Sequence, residues 1–161
     1  MGIRGTYYTI DDDILAQLIE GHIDFENANP PVRHTLEIDK AYYLIQYLLC
    51  GCIEGGEPPM GYVVPIREEN VLPTPFCDCD MYFLRARQVQ EASAFLDTLD
   101  IPTLKNRYDF AAMKEKEIYP IIEADTDADG YFEYLSGNLA EIREFLRQAS
   151  ARGDAVIFYL A

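Results

Sequence analysis

The spacing of apolar positions changes several times along this chain, and each change marks an element. Phe132, Leu135, Leu139, Ile142, Leu146 and Ala149 step by 3, 4, 3, 4 and 3, which places one apolar stripe along a long helix. Val89, Ala92, Leu96 and Leu99 make a shorter stripe of the same kind. Pro102 suits the first turn of a further helix, where its missing N–H costs nothing. Leu104, Tyr108 and Ala111 continue that pattern, and Pro120 ends it. The stretch 41–49, AYYLIQYLL, is apolar on almost every face, so it predicts a helix in the middle of the core. Asp39 is its expected cap and Gly51 its stop. Ile14, Leu15, Leu18 and Ile19 recur at helical spacing behind Asp11, Asp12 and Asp13. Those carboxylates suit a helix start, because they accept first-turn N–H groups and oppose the positive end of the helix dipole.

Three segments read as strands. Thr6–Ile10 is β-branched and aromatic, and Met81–Leu84 is of the same kind. Ala155–Leu160, AVIFYL, is apolar without alternation, which predicts a strand buried on both faces. Residues 22–34 read as a loop, broken by Asn27, Asn29, Pro30 and Pro31. Residues 53–80 are the least regular part, rich in glycine and proline, with Tyr62–Ile66 as a short edge segment. A loop this long inside a domain is a place where function concentrates. At 161 residues the chain fits one domain of mixed helix and strand, residues 1–161, with a core that needs no disulfide or metal.

Charge narrows the function classes. There are 28 acids against 13 bases, a formal net charge of −15. Residues 1–80 hold four bases, Arg4, Arg33, Lys40 and Arg67, against 14 acids. Such a chain is repelled by phosphate backbones and by anionic membranes, so neither nucleic acid nor a membrane surface is an expected partner. A basic protein partner or a cation fits the charge; plain solubility fits it as well. No apolar run approaches the length of a membrane span and no cleavable leader is visible. The expected place is the cytoplasm, where cysteines stay reduced.

Two motifs suggest metals. Asp125, Asp127 and Asp129 alternate and are followed by Gly130, like the first half of an EF-hand calcium loop, with Glu133 as a fourth oxygen donor. The twelfth position holds Ser136 instead of the bidentate glutamate. The other reading is a solvated acidic turn before a helix. Four cysteines form two Cys-x-Cys pairs, Cys50/Cys52 and Cys77/Cys79, a donor set for tetrahedral zinc at tighter spacing than the usual knuckle. The other reading makes them small apolar or incidental residues. Nucleophilic catalysis has little to draw on: His22 and His34 are the only histidines, and there is no serine elbow or phosphate loop.

An ordered set of short segments carries a resemblance. Met1-Gly2-Ile3 with Gly5 and Tyr7 opens it. Ile38-Asp39-Lys40-Ala41 then leads to Leu48-Leu49 and Gly51, followed by Gly55-Gly56-Glu57-Pro58-Pro59. Tyr82, Leu84, Val89, Met113 and Ile118-Tyr119-Pro120 continue it, and Leu139, Phe145, Ala149, Gly153 and Ala155-Val156-Ile157 close it. In this order the chain resembles the YfbM-like family of small bacterial proteins of unknown function. The resemblance implies an α/β (α+β) fold, a single compact domain with a mixed central sheet flanked by helices. It implies no catalytic residues. Cys50 stands where relatives tend to have threonine, and Cys77-Asp78-Cys79 where they often have a Gly-Tyr-Gly-like stretch, so the cysteines fall on two family-characteristic segments.

The leading expectation is a non-enzymatic binding protein for a basic protein partner, of the immunity or inhibitor kind. The alternative is a small-molecule binder or enzyme with its site in the 50–80 region, built from Cys50, Cys52, Glu57, Cys77, Asp78 and Cys79 and closed by Tyr119. A third is a domain stabilised by calcium at Asp125, Asp127, Asp129 and Glu133, or by zinc at the cysteines.

Overall fold

A computed structural model describes residues 2–23, 34–73 and 79–161. Strands β1 (Gly5–Ile10), β2 (Thr35–Glu37), β3 (Asp80–Leu84) and β4 (Ala155–Leu160) form one sheet in the order β2-β1-β4-β3. Helices α1 (Asp12–Ile19), α2 (Tyr42–Cys50), α3 (Ala86–Asp97), α4 (Ile101–Arg107), α5 (Phe110–Glu115) and α6 (Ala128–Arg152) surround it. The α+β architecture is as expected. Each described pairing is antiparallel, so the sheet is antiparallel where a mixed one was implied.

The two central strands, β1 and β4, come from the two ends of the chain. Their side chains alternate between faces, as the pleat requires. Tyr7, Val156 and Phe158 pack into a large core with α2, α3 and α6. Tyr8, Ile10, Ala155 and Ile157 enter a smaller core with Leu15 and Leu18 of α1, plus Leu72 and Met81. Cores on both sides explain why AVIFYL lacks alternation. The α6 stripe is buried along its whole length, from Phe132 to Ala149. Gly153 ends α6 at φ 72°, a left-handed cap that suits glycine. Among the described residues, no helix is long and apolar enough to cross a membrane.

Three local expectations are corrected. Asp39 does not cap α2; it sits at φ 48° and its carboxylate accepts the Tyr134 hydroxyl at 2.8 Å, while Ala41 occupies the cap position. Tyr62–Ile66 is not an edge strand. Met60–Tyr62 is a 3₁₀ turn, and Val63, Val64 and Ile66 are apolar because they fill the main core. The stripe after Pro102 is two helices, broken at Tyr108 and Asp109. Asp100 caps α4 through Thr103 N at 2.8 Å, and Asp109 caps α5 through Ala112 N at 3.0 Å.

Asp12 ties α1 to α3. Its Oδ1 accepts Arg85 Nε at 3.0 Å and Ala86 N at 2.8 Å, and its Oδ2 accepts Arg85 Nη2 at 2.9 Å. The hydrogen bond from Arg85 holds the carboxyl below its usual range. Asp12→Ala removes this fork and a helix N-terminal acceptor together, at an expected cost of about 1–2 kcal/mol. The folded-state pKa is depressed, so the contribution is full above the unfolded carboxylate pKa of about 4 and fades as pH falls through the folded value. Urea titrations of wild type and variant should therefore differ at neutral pH and converge in acid.

Candidate functional site

The residues singled out in the sequence do not gather at one place. Cys50 lies at the end of α2, and burial first, then the neighbouring Cys52, push its thiol up to about 11. A thiol so held stays protonated at neutral pH and is a poor nucleophile. Cys50 and Cys52 are free thiols. Glu57 is exposed, and its carbonyl receives Gly61 N at 2.8 Å. Cys77 and Asp78 lie outside the described residues.

The alternating acids each have a different partner. Asp125 Oδ2 accepts Ile122 N at 2.8 Å and the Tyr131 hydroxyl at 2.7 Å, which lowers its pKa. Asp127 is the N-cap of α6 and receives Gly130 N at 2.9 Å. A Cβ at Gly130 would lie 2.2 Å from Asp127 Oδ2, so the glycine serves this cap. Asp129 meets Lys105 at 3.3 Å, and Glu133 is exposed. Among the described residues, no group of three or more His, Cys, Asp or Glu side chains is gathered as a metal site.

Tyr119 leads to a different arrangement. At one end of the sheet a cleft of about 420 Å³ is lined by Ile3, Tyr42, Tyr43, Asp80, Tyr119 and Leu160. Its parts come from far apart in the chain: the segment before β1, the first turn of α2, the first residue of β3, the end of β4 and the turn after α5. The register of β3 on β4 sets Asp80 opposite Leu160. The Tyr42 ring lies 4.6 Å from Tyr43 at 61°, edge to face, and 6.2 Å from Tyr119. The Tyr42 hydroxyl donates to Ile3 O at 3.2 Å, which holds the floor of the cleft.

A second cleft of about 420 Å³ adjoins it, lined by Glu54, Ile66, Arg67, Glu68, Val71 and Tyr82. Glu54 and Asp80 act on the same two phenols. Burial first, then both carboxylates, raise the pKa of Tyr43. Burial, Asp80, Glu54 and Tyr43, in that order, raise Tyr82 to about 12. Burial, then Tyr119, Tyr43 and Asp39, bring Tyr42 to about 12. These rings stay neutral in ordinary solution, so the charge of the strip comes from its carboxylates. Among the described residues neither Glu54 nor Asp80 has an ion-pair partner. Arg67, by contrast, is committed: it lies 5.4 Å over the Tyr62 ring and bonds Asn70 Oδ1 at 3.1 Å and the Gly56 carbonyl. A broader groove of about 700 Å³ beside α5 carries Lys114 among its glutamates, so its charge is partly met from within.

Sequence reasoning reached Tyr119 and the neighbourhood of Asp80, and missed Tyr42, Tyr43, Tyr82 and Glu54. The available signal was 12 tyrosines in 161 residues, two of them adjacent in a helix otherwise made for the core.

Solved structures give the fold. The crystal structure of YfbM from Escherichia coli, described as a protein of unknown function, superposes with a TM-score of 0.76 at 18% identity, covering 98% of this chain and 99% of that one. Among curated proteins none matches. At the level of sequence, residues 1–159 match the family described as a domain of unknown function, DUF1877. That match leaves out two residues of 161, and the chain belongs to the DUF1877 family.

Proposed function

We propose that this protein is a non-enzymatic binding protein that docks a basic protein partner on the strip of tyrosines and carboxylates at one end of its sheet. The observation that carries the reading is the pair Glu54 and Asp80, without ion-pair partners among the described residues and set against neutral Tyr43 and Tyr82. Tyrosine suits such a face. It offers large contact area, a polar tip and few rotatable bonds to immobilise. The net charge of −15 adds long-range attraction for a basic surface and speeds encounter.

Steering of this kind depends on salt, because the Debye length falls from about 10 Å at 0.1 M to about 3 Å at 1 M. The immobilised protein should retain a basic protein from lysate at the lower salt and release it at the higher. Retention that ignores salt, or of acidic proteins only, would sink the reading.

A further inference from the structure

We infer that the corner where α3, α4 and α6 meet is a self-association surface, which pairs two copies of this chain about a two-fold axis through a reciprocal contact of Ile101.

The surface follows from the sequence of α4. Ile101 and Leu104 are three residues apart, so they share one face of the helix. Leu104 is buried in the main core, whereas Ile101, a turn earlier, is 53% exposed. The apolar face of α4 therefore runs on past the edge of the core. Single exposed apolar side chains are ordinary on a protein surface. Ile101 differs because it stands at the rim of a hollow of about 70 Å³. Leu96 of α3, Leu99 just beyond it and Leu139 of α6 line that hollow, and the short side chain of exposed Ala140 leaves it open. A knob and a hole side by side on one surface are self-complementary. Under a two-fold operation each Ile101 enters the hollow of the other copy, as an isologous interface requires.

Charge selects a second copy as the occupant. Chains of net −15 repel each other, so two copies meet best where charge is locally balanced. The groove beside α5 sets Glu115, Glu117 and Glu123 against Lys114, and the cleft beside Val71 sets Glu54 and Glu68 against Arg67. The hollow instead is lined by one acid and one base, Asp100 and Arg143, both exposed. Arg143 Nε stands 3.5 Å from Asp97, a loose pair that leaves the guanidinium able to take a second carboxylate. With Ile101 at the axis, Asp100 of each copy is matched to Arg143 of the other, and the two pairs are equivalent by symmetry. A basic partner would meet Arg143 at this rim, and an acidic one Asp100.

The test is sedimentation equilibrium on the full chain across a range of salt. One apolar anchor and two exposed ion pairs per interface give a weak dimer, with a Kd on the order of 100 µM. The Kd should fall several-fold from about 0.1 M to about 1 M salt, as the mutual repulsion is screened. Ile101→Ser removes the knob, and Ala140→Leu fills the hole with the chain's own side chain. Both positions are exposed, so both variants should fold, and each should weaken the dimer by about tenfold. Ile122→Ser, at an isoleucine that is 63% exposed elsewhere, should leave the Kd unchanged. A monomer at every salt and concentration, a dimer that survives both variants, or one that Ile122→Ser dissolves as readily would overturn the inference. The surface shares no residue with the strip of tyrosines, and its salt dependence is opposite in sign to that of a basic partner. Loss of either reading therefore leaves the other standing.

Discussion

Phe158→Ala should destabilise the fold by about 4 kcal/mol, the range seen when a buried aromatic is cut to alanine. Phe158 is fully buried on the central strand β4. Its ring is 4.6 Å from Tyr7 and 6.5 Å from Tyr82, so it joins the sheet to the main core. The space it leaves cannot readily close. On one side is Gly5, where an added Cβ would sit 2.9 Å from the Phe158 ring, so the ring lies directly on the β1 backbone. On another is Tyr7, whose hydroxyl is anchored to Val63 O at 2.6 Å and keeps its ring in place. The residual cavity therefore adds its term to the lost transfer energy. In urea the midpoint should fall with no change in slope, and on heating Tm should drop by about 10 °C. Phe158→Leu, which fills most of the volume, should cost about 1–1.5 kcal/mol. Equal losses in the two variants would mean that ring packing is not what holds β4.

Phe158 also shows why much of this fold was readable. Where an element's environment is uniform along its length, period alone reports it. β4 is covered on both faces and reads as an unbroken apolar run; α6 has one covered stripe and reads at helical spacing. The readings that failed are those where environment changes within a few residues. Tyr108 is half-buried and bonds the Ala128 carbonyl at 2.7 Å, so its place in an apolar stripe comes from packing against α6, across a break between helices. Val63, Val64 and Ile66 are apolar for core contact without strand geometry. Strand direction was not readable at all, since β1 pairs with a strand from the far end of the chain.

The cleft was harder still, because its residues do not share a local pattern. Tyr42 is buried and Tyr43 half-buried in the first turn of α2, and both count as core when the helix is read alone. What separates them is the approach of β3 and of the turn at Tyr119, which the sequence near α2 does not record. The acids behaved in the reverse way. Asp125, Asp127 and Asp129 have a conspicuous spacing, yet that spacing serves a turn, a cap and an ion pair. Asp80 directly follows the Cys77-Asp78-Cys79 motif without sharing its spacing, and it is Asp80 that lines the cleft.

The irregular segment between α2 and β3 is held by a close approach of backbone to backbone, and Gly61→Ala should expose it with a loss of about 3 kcal/mol, the upper end for overpacking. A Cβ at Gly61 would lie 1.9 Å from the carbonyl oxygen of Gly56 and 2.4 Å from its carbonyl carbon. A flexible side chain could turn away from such a methyl; a peptide group cannot without moving the chain. Gly56 is itself buried beside α2, where its own Cβ would fall 2.5 Å from Cys50 Sγ, so it has nowhere to retreat. The Gly56 carbonyl also accepts from the Arg67 guanidinium. The Arg67 side chain is only 11% exposed, so displacing Gly56 strands a buried donor as well as straining the turn. Gly137→Ala provides the comparison. It lies on the exposed face of α6 with nothing within 4 Å of its Cβ position, and should stabilise the fold by about 1 kcal/mol, the helix preference of alanine over glycine. Opposite signs for one chemical change, read from urea midpoints, would locate the effect in the contact between Gly61 and Gly56. A Gly61→Ala protein as stable as wild type would mean that the two backbone segments do not meet as described, and that the wall carrying Arg67 is free to move.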